Sequence, residues 1–157
     1  MPDFSNKRQR IVDTRPNTQN GIPNNNTVNN VNLMQDFNKE WITNGATKEM
    51  IPFVEKLGKY MAENGLTKSK IRSIYGEIKR IQMSQFDKEK TSFYLLKPKV
   101  AYAYGREDKD KNKGLKQFKE LFDRCFTYVT DSKSYKNFCN LFEAVLAYHK
   151  AYGGKDN

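Results

Sequence analysis

Near the C-terminus, Tyr135, Phe138, Phe142, Val145, His149 and Tyr152 recur at alternating steps of three and four residues. That spacing lines side chains along one face of a helix. Leu141, Ala144 and Tyr148 widen the stripe toward a second side. A helix apolar over so much of its circumference must be covered from two directions, which makes it the central or closing helix of a bundle. Gly153-Gly154 then end it, because glycine enters the left-handed conformation past a helix C-terminus without steric cost.

The other apolar periods are helical as well. Leu33, Met34, Phe37 and Trp41 form a short repeat of one or two turns, with Trp41 capping the core against the first long helix. That helix runs through Ile51, Val54, Leu57, Gly58 and Met61 to a stop at Asn64-Gly65, with Thr47 as its candidate cap and Pro52 either disturbing its first turn or delaying its start. Thr67 is the expected N-cap of the next, whose core face is Ile71, Ile74, Tyr75, Ile78 and Ile81. Ser84 to Ser92 reads as a polar connector. Pro98 predicts a break at Lys97 and a new helical piece after it, ending in a turn at Gly105 that sets Arg106 on an exposed corner. Glu107 to Gly114 is a charged loop, and Leu115, Phe118, Phe122, Cys125 and Val129 mark another amphipathic helix. Asp131-Ser132 leads into the last. The predicted fold is therefore all-α, a compact helical bundle of about five helices over residues 41–157.

Residues 1–40 differ from the rest. They hold ten asparagines and few apolar residues without a period. Such a segment buries too little apolar area to offset the entropy of ordering it, which predicts a disordered or extended arm. Lys7, Arg8, Arg10 and Arg15 make its start basic. A solubilising tail and an arm laid along RNA or a neighbouring subunit both fit.

Lys and Arg number 28 against 18 Asp and Glu, a formal charge of +10. Such an excess favours a polyanionic partner, since each neutralised phosphate releases condensed counterions. Cys125 and Cys139 sit in apolar stripes rather than in a Cys-x-x-Cys pair, and read as reduced packing residues. No apolar run has the length of a bilayer span, and the first residues lack the apolar core of a signal peptide, so a soluble, cytoplasmic protein without a membrane partner is expected.

No catalytic constellation is visible. The one histidine, His149, falls in the apolar stripe and reads as a core or interface imidazole with one nitrogen satisfied. Acid–base cleavage of RNA relies on paired histidines or on carboxylates holding metal ions, and neither set can be assembled. No metal, cofactor or catalytic residue is expected. What remains is a binding surface, because Arg and Lys contacts to phosphates position a nucleic acid without reading its sequence.

Three ordered segments carry a family resemblance. Phe142 to Asp156 (Phe-Glu-Ala-Val-Leu-Ala-Tyr-His-Lys-Ala-Tyr-Gly-Gly-Lys-Asp) resembles the C-terminal signature of the small subunit of type III-A CRISPR–Cas effectors, the Csm complex. Leu66-Thr67-Lys68-Ser69-Lys70-Ile71-Arg72 resembles that family's Leu-Thr-x-Ser-x-Ile-Arg helix start, and Leu96 to Arg106 its "LxPxxAYAxGR" segment. The resemblance implies a non-catalytic helical bundle that stacks in several copies beside the guide RNA and contacts target RNA. It also implies backbone subunits and a large polymerase-like subunit as partners, with self-association among copies. The long Asn-rich arm departs from a minimal member.

The candidate RNA-binding residues are Arg72, Lys79 and Arg80 on the second long helix, and Lys97, Lys99 and Arg106 around Pro98. Arg72 and Arg106 lie within matched segments, whereas Lys79 and Arg80 rest on helix geometry, and an ion pair is an alternative role for Arg72. On the second long helix few acidic residues stand four positions from the cations, which argues against a merely salt-bridged face there. Tyr94, Tyr102 and Tyr104 are candidates for base stacking or for core and interface packing. Tyr148, Tyr152 and Lys155-Asp156 are candidates for contact with a neighbouring subunit. Two other readings use the same features. One is a helix-turn-helix DNA-binding regulator built on Asn64 to Thr67 and the basic helix that follows; the other is a structural helical adaptor.

Overall fold

The computed structural model describes residues 32–157, and the basic start of the predicted arm lies outside them. A 3-10 turn, Leu33–Asp36, is followed by α1 (Glu40–Thr43), α2 (Met50–Glu63), α3 (Lys68–Met83), α4 (Phe86–Gly105), α5 (Lys113–Phe126) and α6 (Ser132–Ala151). The described residues contain no strand. The all-α expectation holds, with α1 a single extra turn. Leu33 and Met34 are buried in the core.

The C-terminal helix is the centre. α6 packs on α1, α2, α3 and α4, and buries Phe138, Leu141, Phe142, Val145 and His149 completely. Phe138 lies 5.6 Å from Phe93 of α4, 5.7 Å from Phe122 of α5 and 4.7 Å from Phe142, ring centre to ring centre. Burial of each such ring contributes about 1.5–3 kcal/mol. Asp131 caps α6 by accepting from the backbone N–H of Ser134 at 2.8 Å, while the Ser134 hydroxyl accepts from the Asp131 N–H at 3.0 Å. Cys125 and Cys139 are buried and free, as expected, and burial raises both thiols, that of Cys139 to about 11.

α2 and α6 approach closely at Gly58. A β-carbon there would meet the Val145 carbonyl at 2.6 Å and the His149 nitrogen at 2.8 Å. The apolar face of α2 is the one expected at Val54, Leu57, Gly58 and Met61, which are buried; Ile51 departs from it at 42% exposure, and Met50 and Phe53 are buried in its stead. Trp41 is buried 5.1 Å from Phe53, the capping role expected of it. Thr47 does not cap α2. Its hydroxyl accepts from the Trp41 indole N–H at 3.0 Å, satisfying the polar end of a buried ring.

Two further expectations are corrected in α4. Helical backbone starts at Phe86 and kinks at Glu89 into the main run of the helix, so Ser84 to Ser92 holds a short helical piece and a kink in place of a polar connector. Phe86 stacks 4.9 Å from Tyr135, and the charged residues after it are the solvent face of a helix. Pro98 does not break the chain: α4 runs through it, and the one non-helical residue is Glu89. Proline removes the N–H that Tyr94 four residues earlier would accept from. Tyr94 is 53% exposed, where water can supply that bond.

The C-terminal glycines do more than stop α6. Gly153 adopts φ +82°, turning the chain back so that the Gly154 N–H donates to the His149 carbonyl at 2.8 Å. A β-carbon on Gly154 would collide with the His149 ring. The tail then reaches α3, where Lys68 N–H donates to the Lys155 carbonyl at 3.1 Å and Ser69 N–H to the Asp156 carbonyl at 2.9 Å. Thr67 stands at the N-cap position but its side chain makes no capping bond. Backbone of the tail takes its place, filling the orphan donors of the first turn.

Three outcomes follow in stability and hydrogen-exchange measurements. Gly58→Ala should lower the unfolding free energy by about 1–3 kcal/mol in urea titration, as overpacking against immobile backbone does. Gly76→Ala, where no atom lies within 4 Å of an added β-carbon, should raise it by about 0.5–1 kcal/mol. Removal of residues 155–157 should accelerate hydrogen exchange at Lys68 and Ser69 while amides in mid-α5 stay protected; unchanged exchange at both would remove the tail's capping role.

Candidate nucleic-acid interface

α3 lies between α4 and α6, and this position sorts its side chains. Ile71, Ile74, Ile78 and Ile81 are buried. On one flank, Lys70 and Ser73 line a groove of about 320 Å³ shared with Lys99, Tyr102 and Arg106 of α4. On the other, Arg72, Tyr75 and Gly76 line a groove of about 690 Å³ shared with Leu146, Ala147 and Lys150 of α6. The solvent-facing crest of α3 between them carries Ser69, Arg72, Ser73 and Gly76.

The six candidate cations fall into distinct environments. Arg72 is exposed and, among the described residues, makes no ion pair, so the alternative structural role weighed for it has no partner there. Lys99 and Arg106 are likewise exposed and unpaired, both at the α3–α4 groove. Arg106 stands at the C-cap of α4, the corner expected of it, 6.0 Å from the centre of the Tyr102 ring. Gly105 needs no left-handed backbone to achieve this. Lys97, two positions before Lys99, is turned by about 200° on the helix. Its ammonium lies 4.9 Å from the Phe126 ring of α5, so Lys97 does not join Lys99 and Arg106 on one flank.

Lys79 and Arg80 are engaged within the chain. Lys79 approaches Glu143 of α6 at 3.6 Å and stands 5.7 Å from the Tyr75 ring. Arg80 donates to both oxygens of Glu89 at 3.0 and 3.1 Å and also to Glu77. The expectation that this face is not salt-bridged is therefore corrected at Lys79 and Arg80. Partners arrive from α4, from α6 and from three residues back, directions that i+4 spacing on one helix does not cover. Lys70 is structural too, donating to the carbonyls of Gly65 and Lys111 at 3.1 and 3.3 Å and pairing with Glu107 at 3.4 Å.

The tyrosines also separate. Tyr102 and Tyr94 are 71% and 53% exposed, whereas Tyr104 is half-buried against the core. The Tyr152 hydroxyl donates to Glu55 at 2.6 Å, with Lys59 5.4 Å from its ring, so this residue bridges α6 to α2. His149 is fully buried, and its Nε2 donates to the Leu66 carbonyl at 2.7 Å. Nδ1 has no partner, which matches the expected core imidazole with one nitrogen satisfied. What the surface offers is a set of guanidinium and ammonium groups unpaired among the described residues and held on a helical frame, chemistry suited to phosphate oxygens.

Comparison with known proteins agrees with the helical architecture. Residues 45–155 match the family model described as Csm2 Type III-A. No curated protein and no solved structure matches the chain. Among the described residues no helix is long and apolar enough to cross a membrane.

The Arg80–Glu89 pair gives a pH signature. Hydrogen bonds from Arg80, then from Ser92, hold the Glu89 carboxyl below its ordinary value of 4.5. A depressed carboxylate contributes stability above its unfolded value, and that contribution is lost as pH falls through the folded one. Thermal midpoints of wild type should therefore decline as pH drops below about 4.5. Glu89→Gln should be less stable at neutral pH and should show a shallower acid decline; parallel profiles would mean that the pair adds nothing.

Proposed function

We propose a role for this chain from the premise that it belongs to the type III-A Csm2 family, the small non-catalytic subunits of the Csm complex. It acts as an RNA-contacting subunit. Several copies stack beside the guide RNA–target RNA filament and hold target RNA by its phosphates, without sequence preference, next to the backbone subunits and the large polymerase-like subunit. Chemistry on nucleic acid is left to those partners.

The observation that supports this reading most is the division of the cations. Lys70, Lys79 and Arg80 are consumed by α3's own packing, while Arg72, Lys99 and Arg106 stand exposed beside two grooves and without an ion-pair partner among the described residues. Charges that the fold does not use are the ones left for a polyanion. A protein that must accept any guide–target pair gains from such contacts, because they carry no sequence information. Lys97, beside the same ridge of α4, is a further candidate on its opposite flank. No observation favours the regulator reading, which would need α3 free to enter a major groove and reading bases.

Two measurements test the proposal. A tagged chain expressed with the neighbouring genes of its locus should recover a multi-subunit particle containing a short processed RNA. In that particle, replacing Arg72, Lys99 and Arg106 by alanine should weaken target RNA binding about equally for unrelated sequences. The slope of log affinity against log salt should fall by roughly 0.7 for each phosphate no longer neutralised. Wild-type affinity in the triple variant would sink the assignment. Arg80→Ala should instead lower thermal stability.

A further inference from the structure

We infer that the groove between α3 and α6 seats one nucleotide of the bound RNA, its base on the apolar floor and its phosphate on Arg72. This rests on the RNA-contacting role proposed above. The groove holds about 690 Å³, within the roughly 300–1,000 Å³ of clefts that enclose small ligands. Its floor is apolar, made by Ile71, Tyr75, Leu146 and Ala147. Its rim carries Lys68, Arg72 and Lys150, against the carboxylates of Glu143 and Asp156. Those carboxylates are already answered: Asp156 lies 3.7 Å from Lys68 and 3.5 Å from Lys150, and Glu143 lies 3.6 Å from Lys79 outside the groove. Arg72 is the rim cation with no acidic partner among the described residues. An apolar floor beside an unanswered guanidinium is complementary to a flat apolar ring joined to an anion. A nucleotide has that form, with its base freed from the stack.

Gly76 adds an independent observation. It sits in the interior of α3 with ordinary helical backbone, lines this groove, and has no atom within 4 Å of the place a β-carbon would occupy. Glycine is the poorest helix former after proline. No turn, left-handed conformation or packed neighbour among the described residues calls for it here, unlike Gly58 or Gly153. Its missing side chain leaves the groove wall open to close approach from outside. Ser69 and Ser73 keep the crest of α3 low in the same way.

The test uses the assembled complex with target RNA carrying 4-thiouridine at successive positions, with photo-crosslinks mapped by mass spectrometry. Crosslinks within residues 71–76 or 146–150 are expected at a subset of positions. Ala147→Trp, placed at an exposed position where the indole fills the floor, should reduce them about tenfold, the effect of displacing one stacked base. Gly76→Ala, which stabilises the helix, should also reduce them, so weaker crosslinking cannot be ascribed to unfolding. Crosslinks to this chain only elsewhere, on α4 for example, would overturn the groove assignment and leave the RNA-contacting role standing. A chain that assembles but yields no RNA crosslink would overturn both. Groove peptides joined to another subunit instead of to RNA would make the groove a protein interface and end the proposal.

Discussion

The bond between His149 Nε2 and the Leu66 carbonyl fixes the arrangement on which the rest of the bundle depends. Leu66 lies in the turn from α2 to α3, and His149 lies in the last turns of α6, so one buried contact ties the middle of the chain to its end. Leaving that carbonyl unpaired would cost about 1–3 kcal/mol. Three glycines are explained by this contact. Gly58 lets α2 come close enough to α6 to pass the backbone at His149, Gly153 turns the tail, and Gly154 lies flat on the imidazole. The tail then delivers the Lys155 and Asp156 carbonyls to the first N–H groups of α3.

Much of this architecture is legible in sequence because it is periodic. The stripe from Tyr135 to His149, the isoleucines of α3 and the pair Phe118 and Phe122 of α5 each repeat every three or four residues, and each is buried. What sequence misses is what has no period. Nothing in Lys155-Asp156 marks them as a cap for a helix almost ninety positions earlier, because their backbone makes the bonds and side-chain identity does not record it. Thr47 and Thr67 look like caps by type, yet one bonds to an indole and the other makes no capping bond. Pro98 breaks helices on average, but at an exposed position its lost donor is replaced by water and the flanking Phe93, Leu96 and Val100 hold the helix together by burial.

The candidate interface divides in the same way. Sequence identifies the basic residues and the two segments in which they cluster, but charge pairing is a three-dimensional property. Arg80 and Arg72 are both arginines on one exposed helix, eight positions apart. Arg80 is held in a fork by Glu89 of α4, whereas Arg72 finds no carboxylate among the described residues. The aromatic candidates separate by exposure, with Tyr102 outside and Tyr104 folded inward.

These pairings also account for the rigidity that α3 offers a ligand. Its N-terminus is held by the backbone of the C-terminal tail, its flank by Lys70 across to Glu107 and the Lys111 carbonyl, and its final turns by Arg80 across to α4. A helix pinned at both ends loses little further freedom when a polyanion settles on it, so the entropic cost of binding falls mainly on the ligand. Exposed surface ion pairs add little to stability individually. Their more consequential effect here is to set which charges remain outward. Three of α3's cations are drawn into its supports, and the crest left between the two grooves is small, polar and accessible, with one guanidinium standing over the larger of them.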